Sequence, residues 1–279
     1  MICLPAPKAM ALGLILALAA CQQSGAPEAA DASAAPSASA AAPAPTAAPT
    51  PAAEARKLEE KNDLYEFGYS YPAAAAAIPA LREWLEGDLV SARAELASQA
   101  REGRADAKVG EYEFTPHMGS TEWKVVTDLP GWLSLSSEIY SFSGGAHGNS
   151  AFDSLLWDKA ARGGAGQQLA VLDLFASPAA LKAAVTKSFC AELDRQRAKK
   201  RGEDIVLDPD DEFARCIDPL EQVLILGSKS GKGFDRIGFL IAPYNAGSYA
   251  EGSYEVTLPI TAALLGAVKP EYKAAFVAP

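Results

Sequence analysis

Two hydrophobic periods take turns along this chain, and the places where one gives way to the other mark out its elements. From Tyr65 to Tyr71, "YEFGYSY" alternates aromatic with small or charged residues, which predicts a half-buried strand with four aromatics on one face. An aromatic row can stack sugars, but at period two beside a helix it reads as core. The period then changes: Ile78, Leu81, Leu85, Leu89, Ala92 and Leu96 recur at three and four residues, predicting an amphipathic helix to about Arg101, stopped by Gly103. Strands are expected at Tyr112–Thr115, Trp123–Thr127, Leu133–Phe142 and Phe152–Trp157.

Past the glycines 163, 164 and 166, "LAVLDLF" leads into a second helix. Ser177 is its cap and Pro178 its first residue, since serine accepts from free N–H groups and proline lacks one. Leu181, Val185, Phe189 and Leu193 form its apolar face, and Lys199, Lys200 and Arg201 are expected as a solvated basic end. Asp208 to Glu212, "DPDDE", lacks the alternate spacing of a calcium loop and reads as the acidic start of a short helix. Strands at 223–226, 237–241 and 254–258 close the chain. Strands, helix, strands, helices, strands is an α+β order, with antiparallel sheets and packed helices in two sequential subdomains, 57–168 and 169–279.

The N-terminal part fits neither period. "ALGLILALAA" (11–20) is too short for a bilayer span and ends in Leu18-Ala19-Ala20-Cys21, which resembles a bacterial lipobox. That resemblance implies a signal peptide over 1–20, lipidation of Cys21, and, with Gln22 next, an outer-membrane destination facing the periplasm. Residues 21–56 are rich in Ala, Pro, Ser and Thr and cannot bury enough apolar surface to fold. Extended at about 3.1 Å per residue, such a tether reaches roughly 100 Å from the lipid.

Removing residues 1–20 takes away Lys8 alone among charged residues, so the net charge moves from −10 to −11. That balance argues against nucleic acid and anionic lipid surfaces and would steer a cationic partner inward. With Cys3 in the signal and Cys21 lipidated, Cys190 and Cys216 remain, an even pair in an exported chain and so a disulfide.

Several chemistries fail on spacing. Gly227 to Gly233, "GSKSGKG", has three residues between its first glycines where a phosphate loop needs four, and Gly233 stands where the metal-binding Ser or Thr belongs. It reads as a hairpin turn. No G-x-S-x-G elbow occurs, and the two histidines, His117 and His147, have no close metal-ligand partner. No cofactor, metal or catalysis is expected.

One stretch is left over. "SFSGGAHGNS" (141–150) sets His147 among Gly144, Gly145, Gly148 and Asn149, between two strands. Glycines supply the positive φ of a tight connection, and asparagine tolerates it. His147 is expected to be structural first, half-buried, with its ring bonded to neighbouring backbone. Whether the loop is also a ligand site stays open.

"YSFSGGAHGNSAFDSLLWD" resembles the strand–GGAHGN–strand signature of the PdaC/RsiV-like extracytoplasmic family. "YEFGYSYP" is similar to its first strand, "GGAGQQLAVLDLF" to its step into the second half, and "FLIAPYNAGSYAEGSYEVTLPIT" to its closing pattern. The resemblance implies an α+β module in two parts outside the cytoplasm, linked to cell-wall polymers or, among anti-sigma members, to lysozyme. The sigma-binding helix and the metal-dependent deacetylase domain have no counterpart here. What the resemblance leaves is a non-catalytic binding module for an envelope ligand, either a peptidoglycan fragment or a lysozyme-like cationic protein. An envelope polysaccharide hydrolase or deacetylase, or a purely structural envelope protein, is the alternative.

The anchor is directly testable. Cys21→Ser should abolish incorporation of labelled fatty acid and leave a soluble or uncleaved precursor; normal labelling of that variant would remove the lipoprotein reading.

Overall fold

The computed structural model describes residues 53–202 and 212–278. The expected signal segment, Cys21, most of the expected tether and the acidic run 208–211 lie outside the described residues. Among the described residues, no helix is long and apolar enough to cross a membrane.

The first sheet opens with β1 (Arg56–Lys61) and β2 (Tyr65–Tyr71), an antiparallel hairpin whose turn is closed by Asn62, accepting from the Leu64 and Tyr65 N–H groups at 2.8 and 3.0 Å. A single turn, α1 (Ala73–Ala76), leads into α2 (Pro79–Val109). This helix returns the chain so that β3 (His117–Asp128) lies parallel to β2, the one parallel pair in a sheet completed by antiparallel β4 (Trp132–Phe142), β5 (Asn149–Asp158) and β6 (Gln167–Leu169).

The aromatic face of β2 is core. Tyr65, Phe67, Tyr69 and Tyr71 are each under a tenth exposed and pack with Leu81, Leu85, Leu89 and Leu96 of α2. A buried phenol needs a partner at its polar end. Glu60, Asp88 and Glu86 supply it, each accepting from Tyr65, Tyr69 and Tyr71 in turn at 2.6 Å.

Two expectations fail in this half, for one reason. Gly103 does not end α2, which runs on to Val109, and Tyr112–Thr115 is connector rather than strand. A Cβ on Gly103 would lie 2.8 Å from Nε2 of the buried His117, so the glycine is a notch that lets the helix pass the histidine ring. The connector brings Phe114 against that ring at 5.7 Å, under the Arg104 guanidinium. Glycine in a helix interior costs about 1 kcal/mol against alanine, and close approach is what it allows here.

The second half begins in a 3-10 turn at Val171–Leu174 and continues as α3 (Pro178–Arg201), β7 (Val223–Gly227), β8 (Arg236–Ile241), β9 (Tyr254–Pro259) and α4 (Ala262–Ala267). Ser177 caps α3 as expected, accepting from the Ala180 N–H at 3.1 Å, and Leu181, Val185, Phe189 and Leu193 are buried. β7, β8 and β9 form an antiparallel sheet, and Phe189 meets Phe239 of β8 edge-on at 5.0 Å. The lysine-rich β7–β8 turn is tied by the Asp235 carboxylate, which accepts from the Lys229 and Ser230 N–H groups. This core also takes Leu129 from the β3–β4 turn and Leu156 from β5. Cys190 of α3 is bonded to Cys216, with 5.4 Å between their Cα atoms. Closing that loop is worth about 3.5 kcal/mol in the chain-entropy treatment.

The basic end of α3 departs from expectation at Arg201. Arg201 is nearly buried and pairs with Glu251 at 2.7 Å, while Lys200 donates to the Glu251 and Ser253 carbonyls and sits over the Tyr254 ring. Arg201 thus turns inward, while Lys199 and Lys200 stay exposed as expected, Lys200 tying the second half together from the surface.

His117 gives the fold a pH dependence. Its Nδ1 is buried without a partner, and burial lowers its pKa from the ordinary 6.5, so the ring is neutral in the folded state. The unfolded chain takes up that proton first, so stability present above pH 6.5 is lost as pH falls toward the depressed folded value. The urea midpoint should therefore drop between about pH 7 and pH 5, and drop less in His117→Gln. Equal drops in both proteins would show that His117 does not set this dependence.

Candidate functional site

The β4–β5 hairpin closes at the pair Ser141 and Asn149, and residues 142–148 form the loop between them. Gly144 and Gly145 have φ of 102° and 92°, the left-handed region that favours glycine. Gly148 is needed for a different reason: a Cβ there would run into the Tyr140 ring and hydroxyl. Asn149 is an ordinary strand residue without positive φ, so its expected role in the turn is not found.

His147 is exposed rather than half-buried, but its ring has a stacking partner and a contact at each nitrogen. It stacks on Tyr249 with 3.6 Å between centroids and 15° between planes. Nδ1 lies 3.0 Å from its neighbour's carbonyl, Gly148 O, which also accepts from the Tyr249 hydroxyl at 2.8 Å. A carbonyl only accepts, so Nδ1 donates to it, and the Tyr244 hydroxyl lies 3.3 Å from Nε2. The expected ring-to-backbone bond is present, but the stacking partners come from a different part of the chain.

Tyr244 and Tyr249 belong to the β8–β9 connection, "APYNAGSYAEG" (242–252). Tyr244 has φ of 71° and is 51% exposed, a strained backbone for a bulky residue. The connection is held from α3. Ala246 O accepts from Arg197 Nε at 2.9 Å and Arg201 Nη2 at 3.3 Å. Arg197, the next position along the apolar face of α3, is 2% exposed. Glu251 caps the turn by accepting from Ser248 N–H, and it also accepts from Arg201 and Tyr254. Burial pushes its carboxyl up, but Arg201, Tyr254 and Ser248 together hold it down at about 2. The same arginines donate to the Arg215 and Phe213 carbonyls, in the segment that Cys216 bonds to α3.

His147 and Gly148 thus meet two residues that spacing could not single out, Tyr244 and Tyr249, and Arg197, Arg201 and Glu251 hold the connection that carries them, while Gly144 and Gly145 shape the turn. The tyrosines lie inside the closing pattern noted in the sequence, but nothing in that pattern says which aromatics face the histidine. Among the described residues, no group of three His, Cys, Asp or Glu side chains could hold a metal ion.

The architecture is that of an α+β protein with a hairpin loop seated against its second half. Residues 58–150, about a third of the chain, match the family model described as Deacetylase PdaC, so this part of the chain is PdaC-like. The match ends at Ser150, just past the loop. Two solved structures are similar. A DUF3298 family member from Bacteroides fragilis is 19% identical, covering 74% of this chain and 89% of its own, with a TM-score of 0.45. A DUF3298 family protein from Pseudomonas aeruginosa is 16% identical, covering 77% and 94%, with a TM-score of 0.44. No curated protein matches the chain.

If the ring stack locks the turn, His147→Ala should lower stability by about 1–2 kcal/mol in urea denaturation. Tyr249→Phe keeps the stack, loses only the bond to Gly148 O and should cost less. A His147→Ala protein as stable as the wild type would refute the structural role.

Proposed function

We propose that this chain is a lipid-anchored lipoprotein of the bacterial envelope, outer-membrane bound and facing the periplasm. Its folded part is a non-catalytic binding module for an envelope ligand, either a peptidoglycan fragment or a cationic wall-active protein such as a lysozyme. The observation that carries this reading is the ring cluster of exposed His147 and Tyr244 with half-buried Tyr249, built where the two loops of the family signature meet.

Tyr244 is the telling member. A non-glycine residue at positive φ costs on the order of 1 kcal/mol, and such strain persists where the side chain is used. Glycine at 244 would close the same turn without that cost. The exposed phenol offers an apolar face and a polar tip, suited to a sugar face or to an interface anchor. The net charge of −10 favours a cationic protein among macromolecular ligands. The non-catalytic reading rests on His147 itself: carbonyl and phenol oxygens occupy its nitrogens, where a general base needs an orienting carboxylate.

Tyr244→Gly separates function from folding. Its stability should stay within about 1 kcal/mol of wild type, since relief of a left-handed backbone offsets the lost His147 contact and the added freedom of glycine in the unfolded chain. Its binding to purified peptidoglycan sacculi or to lysozyme, measured by co-sedimentation and titration, should weaken at least about tenfold. Absence of binding to both ligands by the wild-type chain, or equal binding by the variant, would overturn the proposal.

A further inference from the structure

β1 is the outer strand of the first sheet, and among the described residues no strand pairs with its other side. The hairpin shows which backbone groups it leaves free. Asn62 N–H donates to the Tyr65 carbonyl at 3.0 Å, so these two residues are a hydrogen-bonded pair. Bonded and non-bonded pairs alternate along an antiparallel ladder. Counting back through the register, Arg56, Leu58 and Glu60 turn their N–H and C=O groups to β2, and Lys57, Glu59 and Lys61 turn theirs outward. Such an edge is a template for another strand, and scattered charge is a common protection against one.

The charges of β1 are ordered rather than scattered. Two copies related by a two-fold axis bond only through the outward-turned residues, which limits the registers they can share. With Leu58 opposite Leu58, Lys57 faces Glu59 on one side of the sheet, and Arg56 faces Glu60 on the side toward α2, each twice. The adjacent bonded registers set Glu59 against Glu59 or Lys57 against Lys57. Only the first is free of like charges at these positions.

The neighbouring flank of α2 fits the same register. Arg56 pairs with Glu86 at 3.2 Å, and Glu60 pairs with Arg93 at 3.6 Å. Helical spacing puts Val90 on the flank of Glu86 and Arg93, and it is 53% exposed. Leu58, half-buried, stands between Arg56 and Glu60 on the same side of the sheet. The edge thus has an apolar centre ringed by charges of both signs, the anatomy of an interface.

We infer that β1 is a homodimer interface, on which a second copy of this chain adds its own β1 antiparallel, Leu58 opposite Leu58. One sheet then runs through both copies. Exposed ion pairs contribute little each, so the charges select partner and register. Backbone hydrogen bonds and the contacts of Leu58 and Val90 supply the affinity. β2 and β3 stand between β1 and the β4–β5 hairpin, so this surface is separate from the aromatic loop and whatever that loop binds.

The test is sedimentation velocity of the full chain in density-matched non-ionic detergent, up to about 200 μM, a range that covers weak interfaces. The wild-type mass should double with concentration. Lys57→Glu should weaken dimerisation at least about tenfold, and Lys57→Glu with Glu59→Lys should restore it, because the double exchange returns opposite charges to each pair. Register is read by mild oxidation, with wild type as the control for its own cysteines. Leu58→Cys should form a disulfide-linked dimer, since residues opposite in a non-bonded pair have Cα atoms about 4.5 Å apart. Glu59→Cys should not, because its twin lies two residues out of register. A monomer mass throughout, a dimer equally strong in Lys57→Glu, or linkage through Cys at 59 and not at 58 would sink the proposal.

Discussion

Leu155 and Leu156 are adjacent on one strand, point to opposite faces, and are both 1% exposed. Successive side chains in a strand alternate, so β5 must be covered from both sides at that point. Leu155 enters the core with α2, and Leu156 enters the core with α3 and the second sheet. A one-residue slip of the β4–β5 register would exchange the two faces and put the wrong side chains in both cores. That register makes the two halves of the chain one folded unit. It also determines what lies beyond. From Leu155 back to Asn149 the burial of β5 falls away, and the hairpin runs past both covers with Asp153 on one face and the glycine loop at its tip.

A projecting hairpin tip needs support from outside its own strands, and the basic end of α3 supplies it at one remove. Arg197 and Arg201 share the Ala246 carbonyl, Glu251 ties the following turn to Arg201, and the connection so fixed delivers Tyr249 to the Gly148 carbonyl. Burying a guanidinium is unfavourable unless its donors are used. Arg197 uses Nε and Nη1 on backbone carbonyls, although among the described residues its Nη2 has no partner. The disulfide contributes to the same arrangement, because the Arg215 carbonyl belongs to the segment that Cys216 fastens to α3. Stability and site geometry are thus linked through one helix end.

Periodicity reads what one element does with its own residues, and there it served well. The aromatic face of β2, the apolar stripe of α3 with its serine cap, the disulfide and the three closing strands follow from local pattern. Failures fall where a residue answers to a distant one. Gly103 carries the usual mark of a helix stop, and only the position of His117, fourteen residues on, shows that it is a notch. Arg201 reads as a solvated cation until Glu251, fifty residues later, is brought beside it. β1, with alternating exposure and strongly charged sequence "RKLEEK", has almost no apolar signal and owes its form to pairing with β2. The candidate site was half legible: its glycines and histidine stand together in sequence, while its tyrosines arrive through the fold.

The glycine loop was open to two readings, a turn or a site, and geometry divides its residues between them. Gly144 and Gly145 are explained by backbone angle and Gly148 by the closeness of Tyr140, so the glycines alone require nothing beyond a turn. His147 belongs to both readings, since its backbone bond steadies the loop while its ring builds the exposed stack. Tyr244 is the residue the turn does not need. It holds a left-handed backbone that glycine or asparagine would occupy with less strain, and its ring is half in solvent, so folding gains little from it. Strain placed on an exposed aromatic, whose one bond to the loop is the long contact to His147, is the physical ground for treating this corner of the molecule as a surface that meets something else.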